Sequence, residues 1–94
     1  MHDLERSQKA KKLLNANGLR STLQRIKIVM AVETIVIKPF TVDDMTNYLS
    51  LQSNRISRVC VYNTLLELVN AGVVSKCSTD SCHLFFNHIN KTIN

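Results

Sequence analysis

Two glycines and one proline are all that this chain of 94 residues has with which to break its helices. Gly18, Pro39 and Gly72 divide it into stretches too long and too regularly apolar to be loops. Asn17–Gly18 suits the left-handed backbone of a helix end, Pro39 stops any helix that reaches it, and Gly72 stands just past an apolar-periodic run. Cap-forming residues supply the starts: Ser21 with Gln24 as a capping-box pair, Thr41 with Asp43 and Asp44 in the following turn, and Ser57. These signals predict helices over about 4–16, 22–36, 42–51 and 57–71.

Each helix after the first has an apolar face. Leu23, Ile26, Met30 and Ile37, widened by Val29, form the stripe expected to be buried on the second. Val42, Met45, Tyr48 and Leu49 serve the third, and Val61, Leu65, Leu68 and Val69 the fourth. Beyond Gly72, Val73–Lys76 begins β-branched, Ser78–Ser81 is turn-like and Leu84–Phe86 is apolar, which predicts a β-hairpin over about 73–86. Four helices and a two-stranded wing describe a mainly α, winged helix-turn-helix fold, expected to occupy 1–94 as one domain. In such proteins the second helix of the motif, here 57–71, lies in the DNA major groove.

Charge points the same way. The net charge of +5 and pI near 9.4 make polyanions the first partners to consider. Arg6, Lys9, Lys11, Lys12, Arg20, Arg25 and Lys27 crowd the first 27 positions, and Arg55 and Arg58 form a second group at the start of the fourth helix. No run reaches the roughly 18 apolar residues of a membrane span and no signal peptide begins the chain, so a cytoplasmic protein is expected. Three cysteines without a CxxC pair are expected to be free thiols there. No Gly-rich phosphate loop, HExxH or serine elbow is present, and Asp43–Asp44 is explained as helix N-terminal acid, so no enzyme is expected.

On a wheel with Val61 at zero, Asn63 falls at about 200°, Tyr62 at about 100° and Arg58 at about 60°. Asn63 is clear of the apolar face, Tyr62 is at its edge and Arg58 is within it. All three nonetheless sit at the helix start, the end a recognition helix presents to bases. Asn can pair with adenine, Tyr can meet a thymine methyl or a phosphate, and Arg58 fits either a phosphate or a base. Arg25, Lys9, Lys12 and Lys76 read as phosphate contacts or solubility charges.

The two segments GLRSTLQRIKIV and SRVCVYNTLLELVNAGVV resemble the DNA-binding domain of the ferric uptake regulator (Fur) family of bacterial repressors. Gly18-Leu19-Arg20, Thr22 and Arg25 match one family pattern; Val61-Tyr62-Asn63-Thr64-Leu65 and Ala71-Gly72 match another, with Cys60 where the family usually has threonine. The likeness covers about residues 12–86 and implies a sequence-specific regulator of transcription, a repressor. It gives Tyr62 a DNA contact, and Arg20 a place in the minor groove, where A·T-rich sequence is narrow. A winged-helix module that docks a protein instead of DNA is the alternative reading.

Family members usually continue into a domain that dimerises and holds metal. Their sensing site takes a histidine where Pro39–Phe40 stands and a glutamate where Phe85–Phe86 stands. No cofactor is therefore expected, although the resemblance implies zinc or iron in the family at large. Cys77, Cys82, His83 and His88 are the remaining metal candidates; the plainer reading is small side chains and exposed imidazoles on a hairpin. Cys60, near basic groups, is either an inert thiol or a redox switch. The expected partners are double-stranded DNA and a second copy or a full-length relative, with no membrane.

Overall fold

The structure, a computed structural model, describes residues 2–79 and 82–87. It contains α1 (His2–Ala16), α2 (Leu23–Thr34), α3 (Val42–Leu51), α4 (Arg58–Asn70), β1 (Val74–Ser78) and β2 (His83–Asn87), the four helices and hairpin expected from the sequence.

Three helices end in one way. After α1, Gly18 takes φ 74° and lets the Leu19 N–H reach back to the Leu14 carbonyl at 2.9 Å. After α4, Gly72 takes φ 83° and the Val73 N–H reaches Leu68 at 3.1 Å. Both close the Schellman-type bond that satisfies a terminal carbonyl. After α3 the same bond runs from Asn54 to Leu49 at 2.9 Å, but the left-handed residue is Ser53, at φ 63°.

The starts need one correction. The residue capping α2 is Thr22, not Ser21: its hydroxyl accepts the Arg25 N–H at 3.3 Å. Thr41 and Asp44 form a full capping box on α3, at 3.0 and 2.9 Å, and Ser57 accepts the Cys60 N–H on α4.

A second correction concerns α2. It stops at Thr34, two residues short of expectation, because Ile35 turns to an extended backbone and buries its own side chain. Its buried residues are Ile28, Val29, Ala31 and Val32, whereas Leu23 is 66% and Ile37 53% exposed. α2 touches α1, α3 and α4 at once. A helix covered on several sides buries a broad arc, so the narrow stripe chosen from the sequence was set at the wrong angle. Tyr48 of α3 also donates its hydroxyl to Thr34 at 2.7 Å.

The core gathers Leu14 of α1, the α2 group, Met45 and Leu49 of α3, and Val61, Leu65 and Leu68 of α4. The wing joins it through Val74 and Phe85. β1 and β2 pair antiparallel from Val74↔Asn87 to Ser78↔His83. Phe40, in the link before α3, adds a third short rung: its N–H and carbonyl bond those of Phe85 at 3.1 and 2.8 Å. The two rings are buried and stacked, with centroids 5.8 Å apart. Asn87 donates its side-chain amide to the Val32 carbonyl at 3.1 Å, so the far end of the hairpin is held against α2. Among the described residues no helix is long and apolar enough to cross a membrane.

Candidate nucleic-acid interface

The Ser57 cap fixes where α4 begins, and the burial of Val61, Leu65 and Leu68 fixes which way it turns. Together they leave Arg58, Val59 and Asn63 exposed at its N-terminal end, with Arg55 just before it. Arg58 does not lie in the apolar face as the wheel placed it. Being in the first turn, it reaches past the core, keeps 61% of its side chain exposed, and pairs through Nε with Asp43 Oδ1 of α3 at 2.6 Å.

Tyr62 is half-buried at the edge of the core. Its ring lies 6.1 Å from that of His83, at the wing end of β2. Ser78 Oγ and His83 Nδ1 are hydrogen-bonded across the strands at 2.8 Å. Asp43, Arg58, Tyr62 and His83 therefore line one groove between α3, α4 and the wing. A second groove opens on the other flank of α4, between Gln24 of α2 and Val59, Cys60 and Asn63. There the Cys60 thiol donates to Gln24 Oε1 at 3.2 Å.

Arg25 has a different environment from the one expected of a phosphate contact. Its Nη2 and Nε fork onto the Glu67 carboxylate of α4 at 2.6 and 3.3 Å, and its Nη1 donates to the Arg20 carbonyl at 3.3 Å. The pair is only partly accessible, at 23% and 34%. Two parallel bonds from one guanidinium fix direction as well as distance. Arg20 itself is exposed on the loop thus held, and Lys76 is exposed on the wing, opposite Phe85 in the ladder. The structure brings Arg58 and Tyr62 into one groove, puts Asn63 in the other, and leaves Arg20 and Lys76 apart from both.

The metal candidates are not gathered. Cys77 stands opposite Leu84 and Ser78 opposite His83, so Cys77 and His83 face opposite sides of the hairpin. Cys82 is exposed and lies 3.6 Å from the Thr79 hydroxyl. His88 lies outside the described residues. Among the described residues no group of three or more histidine, cysteine or acidic side chains is placed to hold an ion. At the positions where the family's metal would be sought, Phe40 and Phe85 present two stacked, buried rings with no donor atom. Those residues do not fit a metal.

Sequence reasoning missed three participants. Asp43 was explained by its helix end alone, yet it also holds Arg58. Glu67 gave no sign of reaching Arg25, 42 positions away. Val59, 68% exposed, is apolar by type and would be assigned to a core by default.

Four helices with a hairpin wing and an uncovered start to the last helix define a winged helix-turn-helix protein. The chain belongs to the ferric uptake regulator family, whose model matches residues 16–93. In fold it is similar to the ferric uptake regulator of Pseudomonas aeruginosa, solved with manganese, at 24% identity and a TM-score of 0.76 over 83% of this chain. It is similar also to that of Vibrio cholerae, at 22% identity and a TM-score of 0.75 over 82% of this chain. It spans 58% and 60% of the length of those two proteins. A comparison with curated proteins finds no match.

Proposed function

We propose that this chain is a sequence-specific DNA-binding regulator of transcription that acts as a repressor, with α4 entering the major groove. It is non-enzymatic and cytoplasmic, residues 1–94 form one DNA-binding domain, and its partners are double-stranded DNA and a second copy or a full-length relative. The carrying observation is the N-terminal end of α4: Arg58, Val59 and Asn63 are exposed there while the same helix buries Val61, Leu65 and Leu68. Lys76, exposed on the wing, supplies a phosphate contact, and Arg20, exposed on the flanking loop, reaches the minor groove. The Vibrio cholerae regulator, whose structure is described as having DNA-binding domains, supports the reading by its fold.

A salt titration of duplex binding tests it. Each phosphate contact should add about 0.9 to the slope of log K against log salt, so a reader using several cations loses affinity steeply. Binding that is absent at low salt, or indifferent to salt, would instead favour a module that docks protein.

A further inference from the structure

We infer that Val59 and Asn63 act together as the specificity-determining pair of α4: the Val59 methyl groups meet the C5 methyl of a thymine, and the Asn63 amide spans the N6–N7 edge of a nearby adenine. The inference rests on the DNA-binding reading above and gives it a sequence preference. On the α4 wheel, with Val61 at zero, Val59 falls at about 160° and Asn63 at about 200°. They point directly away from the buried Val61, Leu65 and Leu68. Leu66 and Asn70 continue the line at about 140° and 180°.

The composition of that line is the argument. A helix face turned only to water normally carries charge, yet its exposed members Val59, Asn63 and Asn70 carry none, and Leu66 between them is half-buried. Valine is also a poorer helix former than the lysine or glutamate usual at such a position. Val59 nevertheless stands 68% exposed in the first turn, between Arg55 and Asn63. First-turn side chains lean toward the N-terminal end of their helix, which is the end flanked here by arginines. In the free protein Val59 neither fills the core nor adds solubility. It suits a partner offering phosphates at the margin with a methyl group between them, and A·T pairs in the major groove offer both. Asn63 carries the donor and acceptor that adenine's N7 and N6 require.

Spacing adds a constraint. Four residues advance about 6 Å along a helix, against about 3.4 Å for each base step. The thymine and the adenine should therefore lie one or two pairs apart.

The test begins by selecting duplexes from a random-sequence library with the whole chain. Each thymine of the selected site is then replaced by deoxyuridine, which lacks only the methyl, and each adenine by 7-deazaadenine, which lacks the N7 acceptor. At one thymine, deoxyuridine should weaken the wild type about fourfold, the worth of one buried methyl, and leave Val59→Ala unchanged. At an adenine within two pairs of it, 7-deazaadenine should cost about fivefold and leave Asn63→Ala unchanged. Val59→Thr, which keeps one methyl, should retain sensitivity to deoxyuridine. Both alanine variants should melt with the wild type, since neither side chain is in the core. Equal methyl sensitivity of wild type and Val59→Ala at every thymine overturns the inference while leaving a sequence-specific binder. Failure to enrich any sequence overturns the DNA reading itself.

Discussion

Arg25 and Glu67 meet in a two-pronged ion pair, 2.6 Å at its shorter bond, that binds the first turn of α2 to the last turn of α4. Because the same guanidinium holds the Arg20 carbonyl, one residue ties the loop bearing Arg20 to α4. Glu67→Ala should cost about 1–2 kcal/mol of stability, between the value of an exposed pair and that of a charged hydrogen bond left unmade. It should also weaken DNA binding, although Glu67 bears the wrong charge to touch a phosphate. Denaturant melts together with binding isotherms check both; tighter binding on removal of this negative charge would refute the positioning role.

The Arg58–Asp43 pair is a different case. Both side chains are mostly exposed, at 61% and 67%, and such pairs contribute about 0–1 kcal/mol. A phosphate can therefore take the place of the carboxylate. Asp43→Asn should tighten DNA binding about two- to fivefold at low salt, with the gain fading as screening rises. Stability should hardly change, because the capping-box acid of α3 is Asp44. Arg58→Ala should remove the effect, which a double-mutant cycle in mobility shifts would show.

Tyr62, set between α4 and His83, should discriminate as well as bind. Replacing it with alanine should weaken a selected site by about 1–3 kcal/mol and random DNA by less. Equal losses on both would make it a backbone contact or a packing residue.

Phe40 and Phe85 make the family's metal positions into part of the core. Phe40→Ala should cost about 3–5 kcal/mol, a large share of what a domain this size has. Chelator should leave the thermal melt of the wild type where it was, since a structural ion would make folding metal-dependent. A fall of many degrees would reveal a site that includes residues outside those described.

Burial on α2 raises the Glu33 carboxyl above its ordinary 4.5, while Lys9 and Arg6 pull it down. The folded chain thus holds this proton more tightly than the unfolded chain does, so acid favours folding at this one position. That contribution is whole below pH 4.5 and is lost as the pH climbs through the raised value. Glu33→Gln, neutral throughout, should therefore gain on the wild type between pH 4 and pH 7 in paired denaturant melts. A constant difference would mean the two states share one pKa.

Local rules made much of this molecule legible. Thr41 and Ser57 cap the helices that follow them, and Gly18 and Gly72 end the helices before them, because each acts within one turn of chain. The buried face of α4 was legible because Val61, Leu65 and Leu68 recur at helical spacing. α2 was not: Ile26, Ile28, Val29, Met30, Ala31 and Val32 are apolar on nearly every side, so periodicity could not select a face. Ser53 escaped notice because a serine gives no sign of a left-handed backbone. At the candidate interface, the exposed Asn63 and the half-buried Tyr62 followed from helix position, while the exposure of Arg58, the Arg25–Glu67 fork and the Phe40–Phe85 rung depend on chain encounters that no local pattern encodes.

The rung at Phe40 closes a circuit. Phe40 leads directly into α3, Asp43 of α3 holds Arg58 of α4, Tyr62 of α4 abuts His83, and His83 lies on the strand that returns to Phe85. The Phe40–Phe85 rung is the buried part of that circuit and the Asp43–Arg58 pair its exposed part. A phosphate arriving at Arg58 would therefore open the circuit on the α4 side while the wing stays hinged at Phe85.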